Sequence, residues 1–412
     1  MRYRKYFNAG LLIFIFILIA SVPLTSASTL KPLDPNLPSG WSQISPDPNF
    51  TYLGLKPACS NCPTTNPTYS FFIRKGTVNK VVIFFQGGGA CWDPVNCLQD
   101  LTYNPMVFEN VVSSQLCIYN PANGSNPQVN QGIFNFTNTN NPFKDWYVVY
   151  LPYCTGDLFW GANDYPYPTG PQSSWTIQHH GFVNFQAVLK WVKDNFLLPE
   201  EIFVAGSSAG GYGAIMDYPY IRDAFPLTFV YVLGDAANGV TGDDFNSKAN
   251  AVWNIQFPKW ILGNDISTLT IEDIYTNIAA EYPLMKLAQY NTAYDGTQSY
   301  FYNLQLTDPV TNVPYVEEPW LWSTFPTPAN VFAWNAQMIM YTQGTANLAP
   351  NYRYYIGEGE IHTILTSDRF YSESSAGGVY FYQWVQSMVN NPFGVFGGPL
   401  QGIWKNLEND NP

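Results

Sequence analysis

The chain has 412 residues and a formal net charge of −12, and only 12% of its residues are charged. Nucleic-acid binding depends on clustered lysine and arginine, so this sparse, acidic charge excludes nucleic acid as a partner. Aromatic residues make up 17% of the chain, which fits sugar or acyl recognition but also a core that is rich in buried rings.

The N-terminus has the features of an export signal. Basic residues precede an apolar run at 11–20, and residues 25–27 are small enough for cleavage. The run is shorter than the roughly 20 residues that cross a bilayer, so no stable membrane anchor is expected; an uncleaved anchor is the alternative. We predict a signal peptide at 1–27, a single domain at 28–412, and a secreted protein, extracellular or periplasmic.

Cysteine usage supports this localisation. Six cysteines lie in one stretch of the chain: Cys59, Cys62, Cys91, Cys97, Cys117 and Cys154. An even number behind an export signal predicts disulfides, although their pairing cannot be derived from spacing. The C-x-x-C at 59–62 could be half of a zinc site, but no second pair of suitable ligands follows, so no metal is expected.

Short runs of β-branched and aromatic residues predict strands buried on both faces, at 81–86, 146–150, 201–206, 228–233, 284–290 and 352–356. Between the second and third, apolar residues at helical spacing over 185–196 predict a helix. Strand, helix and strand in succession indicate a mostly parallel sheet flanked by helices, which is an α/β fold. The polar segments 94–141 and 236–270 are expected to be loops or cap-like insertions over the sheet edge.

Three consecutive glycines, Gly87, Gly88 and Gly89, follow the strand at 81–86, and Ala90 comes next. Without side chains, such a loop lets backbone N–H groups approach a ligand oxygen closely. A flexible turn or a phosphate-binding loop would also be glycine-rich, but the lysine and serine of a Walker loop are missing here.

The segment 206–210 satisfies G-x-S-x-G, with a predicted strand before it and a helix-like stretch after it. This context is typical of the nucleophile elbow of α/β-hydrolases, with Ser208 as the nucleophile. In that fold the oxyanion hole combines the N–H of the next residue, Ala209, with an N–H of the early loop, here Gly88 or Gly89. A glycine-rich turn that merely packs a helix on the sheet is the alternative.

The base and the acid are sought downstream of the serine, since the order in this fold is Ser, acid, His. His362 is the only histidine after Ser208, whereas His179 and His180 precede a helix and are expected to cap it or lie on the surface. Position favours Asp295 as the acid, with Asp235 as its rival, because both follow strand-like runs.

Several segments resemble the pectin acetylesterase and Notum carboxylesterase family of α/β-hydrolases. These are QGGGAC at 86–91, LPYCTGD at 151–157, GSSAGG at 206–211 and NTAYDGTQ at 291–298. The resemblance implies that Asp295 is the triad acid. It makes Asp157 and Asp235 supporting residues. The residues around His362 fit the family pattern more loosely, and the cysteines are fewer.

The residues and the resemblance together predict a secreted serine carboxylesterase that needs no cofactor. The family implies an acylated carbohydrate or other ester as substrate. We expect an acetyl ester on a carbohydrate such as pectin, with a fatty-acylated protein as the alternative. A non-catalytic carbohydrate-binding protein on a hydrolase scaffold is the alternative of another class, motivated by loop aromatics such as Trp160, Trp320 and Trp322.

Overall fold

The computed structural model describes residues 37–60, 69–93, 97, 130–170, 173–242, 244–263, 265–306, 328–389 and 402–409. By their contacts these residues fall in one compact unit, Pro32–Pro412. The predicted signal peptide and domain boundary lie outside the described residues. Within the described part of the chain, no helix is long and apolar enough to cross a membrane.

A nine-stranded sheet forms the centre of the molecule, in the order β1-β2-β4-β3-β7-β8-β9-β10-β11. Its strands are β1 (Trp41–Ile44), β2 (Phe71–Arg74), β3 (Lys80–Phe85), β4 (Tyr147–Leu151), β7 (Glu201–Ser207), β8 (Phe229–Asp235), β9 (Leu287–Thr292), β10 (Tyr352–Gly357) and β11 (Leu407–Glu408). The sheet is parallel from β4 through β11, while β2 runs antiparallel to both β1 and β4. The predicted mostly parallel sheet is therefore confirmed.

Helices cover both faces of this sheet. Those described are α1 (Gly181–Asn195), α2 (Ala209–Ala224), α3 (Phe245–Trp253), α4 (Lys259–Leu262), α5 (Ile271–Glu281), α6 (Gly296–Gln305), α7 (Pro328–Leu348), α8 (Arg369–Ser372) and α9 (Phe381–Val389). The predicted helix at 185–196 is α1, and α3 and α4 lie within the segment 236–270 that was expected to form loops or cap elements.

Successive residues of each central strand enter opposite apolar clusters. In β3, Ile83 packs with the cluster that holds α1, whereas Phe84 packs with the cluster that holds α9. In a strand, neighbouring side chains point to opposite faces of the sheet. Because both faces are buried here, the strand sequences are continuously apolar and do not alternate between apolar and polar residues. The loops at the strand ends are consequently attached to a sheet whose strands are packed on both faces.

A separate two-stranded hairpin, β5 (Asn163–Gly170) with β6 (Ser173–His179), lies outside the central sheet. The sequence did not indicate β5, since Pro166 and Pro168 fall inside it. Proline cannot donate to a strand ladder and is tolerated mainly at exposed edges. Both strands of a two-stranded ribbon are edge strands, so this hairpin tolerates the two prolines.

Candidate active site

The turn between β7 and α2 places Ser208 at the edge where the parallel strands end. Ser208 is the residue before the helix, with φ 56° and ψ −126°. A non-glycine residue in this region stores about 1–3 kcal/mol of strain, which surrounding structure must sustain. Here the Ser208 N–H donates to the Asp235 carbonyl oxygen at 2.7 Å. The geometry is that of a nucleophile elbow.

Glycine is required on both sides of the serine because other backbone segments lie too close for a side chain. A Cβ on Gly206 would collide with the Gly210 carbonyl, and a Cβ on Gly210 would collide with the Phe85 carbonyl at the end of β3. The elbow therefore packs directly on the strand that leads into the glycine segment. A side chain at either position would force the elbow away from that strand.

The glycine segment lies against the serine. A Cβ on Gly87 would collide with the Ser207 carbonyl and approach the Ser208 Cβ to 3.1 Å. Gly89 has a φ of 75°, which favours glycine. Gly89 and Ala209 both border the cavity that Ser208 borders. Gly88 lies between Gly87 and Gly89 and is absent from the cavity lining.

His362 and Asp295 form a pair at the ends of two neighbouring strands, β9 and β10. His362 Nδ1 lies 2.9 Å and 3.0 Å from the two Asp295 carboxylate oxygens. An ionised carboxylate can only accept, so Nδ1 carries the proton and Nε2 holds the lone pair when the ring is neutral. Among the described residues Nε2 has no hydrogen-bond partner. The imidazole is thus oriented with its basic nitrogen unoccupied.

Asp295 is held from the other side by Gln298. The main-chain N–H of Gln298 donates to one Asp295 oxygen at 2.8 Å, and its side-chain amide donates to the other at 3.0 Å. Asp295 caps the N-terminus of α6, where partial positive charge favours a carboxylate. These contacts fix the carboxylate at full burial.

The environment of His362 favours its protonated form. Burial alone would lower its pKa, but attraction and hydrogen bonding by Asp295, with a further contribution from Asp235, raise the pKa above 6.5 overall. A base of this kind can take a proton from a hydroxyl and keep it while charge develops. Ser208 and His362 border the same cavity.

Within the described part of the chain, Asp235 forms no hydrogen bond with the imidazole, although its charge acts on it. Its carboxylate accepts hydrogen bonds from the Ser207 hydroxyl at 2.7 Å and from the N–H groups of Ile364 and Leu365 at 2.9–3.0 Å. Burial raises its pKa to about 6, although these hydrogen bonds oppose the rise. One carboxylate thereby joins the elbow to the loop that carries His362.

Asp157 is equally buried but lies away from the cavity lining. It accepts from the Thr155 hydroxyl at 2.6 Å, from the Phe159 N–H at 3.2 Å, and from the Gly181 N–H at 2.7 Å. Burial raises its pKa. Because Gly181 begins α1, this carboxylate ties the segment after β4 to a helix N-terminus. Leu158, its chain neighbour, does border the cavity.

The other two histidines are buried rather than at the surface. His179 Nδ1 lies 2.8 Å from the Thr155 carbonyl and its Nε2 lies 2.9 Å from the Tyr167 hydroxyl. His180 precedes α1 but makes no side-chain capping bond, and its Nδ1 lies 2.8 Å from the Lys56 carbonyl. The expectation of capping or surface histidines was wrong, because both rings are buried and bind backbone carbonyls, those of Thr155 and Lys56.

Two disulfides brace the loops around the glycine segment. Cys59 is bonded to Cys154, and Cys91, which directly follows Ala90, is bonded to Cys97. This confirms the prediction of disulfides. The remaining two cysteines, at 62 and 117, lie outside the described residues.

The cavity is predominantly apolar and encloses about 760 Å³ of empty space, part of it open to solvent. Its apolar lining includes Trp92, Leu158, Trp160, Val240, Phe245, Ile271, Ile274 and Phe301. Two polar side chains in the lining, Gln305 and Asn246, are engaged in hydrogen bonds with the backbone. Gln305 accepts from the Gly242 N–H, and Asn246 donates to the Leu269 carbonyl.

Sequence reasoning missed two residues of this arrangement, Ser207 and Gln298. The signal for Gln298 was present, since an acidic residue followed three positions later by Gln resembles a capping box. No local pattern marked Ser207, because its hydrogen-bond partner, Asp235, lies 28 positions away. Trp160 is buried and borders the cavity, while Trp320 and Trp322 lie outside the described residues.

Comparison with known proteins agrees with this geometry. A pectinacetylesterase family model matches residues 64–252. The chain is also similar to the crystal structure of the Wnt deacylase Notum from Drosophila, with 16% identity and a TM-score of 0.51, over 81% of this chain and 88% of that one. No curated protein matches this chain. The resemblance and the α/β-hydrolase fold are confirmed, and the family match supports an ester-hydrolysing enzyme.

Proposed function

We propose that this chain is a serine carboxylesterase in which Ser208 is the nucleophile, His362 the general base and Asp295 the acid that orients it. The observation that carries the proposal is the His362–Asp295 pair, at 2.9 Å, with Nε2 left free at a cavity shared with the elbow serine. Catalytic hydrogen bonds often close only when substrate binds, so an open Nε2 suits a substrate-free enzyme.

The reaction is acyl transfer in two halves. His362 removes the Ser208 proton as the oxygen attacks the ester carbonyl, and it then protonates the departing alkoxide to release the alcohol. Water repeats the attack on the acyl-enzyme and releases the acid. Backbone N–H groups of Gly88 or Gly89 and of Ala209 stabilise the oxyanion, each contributing about 10²–10³ in turnover.

Asp235 and Asp157 support this machinery without touching the reacting atoms. Asp235 fixes the His362 loop against the elbow, since it accepts from Ser207, Ile364 and Leu365. Asp157 holds the segment that ends in Leu158, a wall of the cavity. Both are positioning residues in this proposal.

The proposed substrate is an acetyl ester on a carbohydrate such as pectin, hydrolysed outside the cell. The family match supports the substrate class. The two disulfides support an oxidising, extracytoplasmic location.

A second candidate, removal of a longer acyl chain, is favoured by the cavity. Its lining is predominantly apolar, with large side chains such as Trp92, Phe245 and Phe301 that an acyl chain could contact. The Wnt deacylase Notum shares the fold. Aryl esters with acyl chains of increasing length separate the two candidates. A kcat/KM that is highest for the acetyl ester supports the acetylesterase, and a kcat/KM that increases with chain length supports removal of a longer acyl chain.

The test of the catalytic proposal is Ser208→Ala with an aryl acetate, together with labelling by a fluorophosphonate. We expect hydrolysis to fall by about 10⁴ or more and labelling to vanish in the variant. Full activity in Ser208→Ala would overturn the assignment. An unreactive wild-type serine would instead favour the carbohydrate-binding alternative.

A further inference from the structure

The segment after β8 forms part of the cavity wall and is held by side chains. Four residues of this wall segment, 236–242, border the cavity: Ala236, Gly239, Val240 and Thr241. Three of its N–H groups donate to side chains on α2 and α6: Asn238 to Gln298 Oε1 at 2.8 Å, Gly239 to the Tyr212 hydroxyl at 3.0 Å, and Gly242 to Gln305 Oε1 at 2.8 Å. The wall segment is thus attached to two helices, one of which follows Ser208 and the other Asp295.

Two of these side chains, Gln298 and Gln305, form a matched pair on α6. They lie about two turns apart, both border the cavity, and both accept an N–H of the wall segment. They differ at the amide nitrogen. That of Gln298 donates to Asp295 Oδ2 and to Asn291 Oδ1, each at 3.0 Å. Within the described part of the chain, Gln305 has no hydrogen bond to Asp295 or His362. Gln298 is therefore the member of the pair that joins the wall to the acid.

The Asn238 N–H determines which way the Gln298 amide points. An N–H group only donates, so it requires the amide oxygen, and the amide nitrogen must then face the acceptors on Asp295 and Asn291. A reversed amide would break all three hydrogen bonds. The main-chain N–H of Gln298 holds the second Asp295 oxygen at 2.8 Å. Rotation of the carboxylate would break one of these contacts, so its two oxygens stay directed at the His362 ring.

We propose that Gln298 is a positioning residue that couples the wall segment to the triad acid. The wall orients the amide, and the amide holds Asp295 in the position that aligns His362. This inference rests on the proposed esterase function and deepens it, because turnover then depends on how the cavity wall is held. A displacement of about 1 Å can reduce turnover by about 10². Gln305 holds the same wall without reaching the acid.

Gln298→Glu tests the proposal with little change in shape. The introduced carboxylate keeps an oxygen for the Asn238 N–H, but it replaces the donor to Asp295 by an acceptor of like charge. With an aryl acetate at about pH 8, we expect kcat to be about 10² below that of the wild type. Repulsion by Asp295 raises the pKa of the introduced carboxyl, so acidification to about pH 6 protonates it. It can then donate to Asp295 in place of the amide.

The measured quantity is the ratio of kcat/KM in the variant to kcat/KM in the wild type. This ratio should rise towards unity as the pH falls, because protonation of His362 occurs in both proteins and largely cancels. Tyr212, the other described group whose pKa responds to Asp295, stays neutral over this range, because burial raises its pKa. Recovery is followed within one protein, so a misfolded variant cannot imitate it.

Gln305→Glu is the matched control, since it makes the same exchange on the same helix and the same wall segment. It alters the cavity lining, but its ratio to the wild type should stay level as the pH falls. The proposal is overturned if Gln298→Glu has the wild-type kcat at about pH 8, if its ratio also stays level, or if the control rises equally. Failure of the esterase proposal is distinguishable, because the wild type would then show no Ser208-dependent hydrolysis of the aryl acetate.

Discussion

Two fully buried carboxylates, one at the active-site edge and one inside α2, have opposite surroundings. Asp235 accepts hydrogen bonds from a hydroxyl and two main-chain N–H groups. Asp217 has no hydrogen-bond partner for either oxygen among the described residues. Burial raises the pKa of both, to about 6 for Asp235 and well above the ordinary value for Asp217. Hydrogen-bond donors thus oppose the rise in the Asp235 pKa, whereas at Asp217 burial and the nearby Asp157 both raise the pKa.

Of the two carboxyl groups, Asp217 has the energetically less favourable surroundings, because its oxygens have no hydrogen-bond partner among the described residues. An unsatisfied buried polar group costs about 1–3 kcal/mol, and more when charged. Asp157 adds repulsion to the effect of burial. We expect the hydrogen bonds around Asp235 to serve the proposed active site, and the following variants test this expectation.

Asp295→Asn should have the largest effect on activity. The amide would present a donor to Nδ1 or leave the wrong tautomer of His362, so we expect kcat to fall by about 10⁴. Steady-state kinetics on an aryl acetate measure this, with circular dichroism to verify folding. Near-normal turnover would show that another carboxylate, such as Asp235, supports the base.

Asp235→Asn should cost less, because it acts through position. Its amide nitrogen would face the N–H groups of Ile364 and Leu365, so the histidine loop must shift. A displacement of about 1 Å can reduce turnover by about 10². We expect a fall in kcat with little change in KM, whereas the equally buried control Asp217→Asn should keep its activity. The same loss in both variants would mean that Asp235 is only structural.

The pH dependence of kcat/KM in Ser207→Ala tests the role of Asp235. In the wild type, kcat/KM should fall on acidification as His362, whose pKa is raised mainly by Asp295 against the effect of burial, and then Asp235, whose pKa is about 6, become protonated. Ser207→Ala removes a hydrogen bond that lowers the Asp235 pKa, so the second protonation should move to higher pH. A pH–rate profile measures this shift. If the acid limb of the profile is identical to that of the wild type, protonation of Asp235 does not affect kcat/KM.

Asp217→Asn should have the smallest effect, and on stability rather than turnover. A carboxyl whose folded pKa is raised loses stability as pH rises from the unfolded pKa, about 3.9, towards the folded one. The variant should therefore be more stable by about 1–3 kcal/mol near pH 7 and match the wild type near pH 4. Urea unfolding at both pH values measures the difference. A gain that is independent of pH would contradict a neutral Asp217.

How much the sequence revealed depended on whether a feature was local. The buried strands, the elbow at Ser208 and the glycine segment follow from short patterns, and the structure has each of these elements where expected. Position favoured Asp295 but kept Asp235 as a rival, because β8 and β9 are neighbours and both end at the same edge. Among the described residues, Asp295 has hydrogen bonds with the imidazole and Asp235 has none, which favours Asp295.

Other features depended on contacts between distant parts of the chain. The hairpin of β5 and β6 was hidden by its prolines, and the burial of His179 depends on Tyr167 across that hairpin. The start of β9 at Leu287, rather than at 284, likewise follows from pairing with β10. Spacing along the chain carries no information about such partners.

The cavity wall and the catalytic groups come from different parts of the molecule. Ser208 and His362 follow strands of the sheet, whereas much of the wall is supplied by helices between strands, through Phe245, Ile274 and Phe301. Those helices can accumulate substitutions while the strand ends stay in register. Related enzymes could therefore diverge in the esters they accept without rebuilding the chemistry, and wall residues are where a protein engineer should begin.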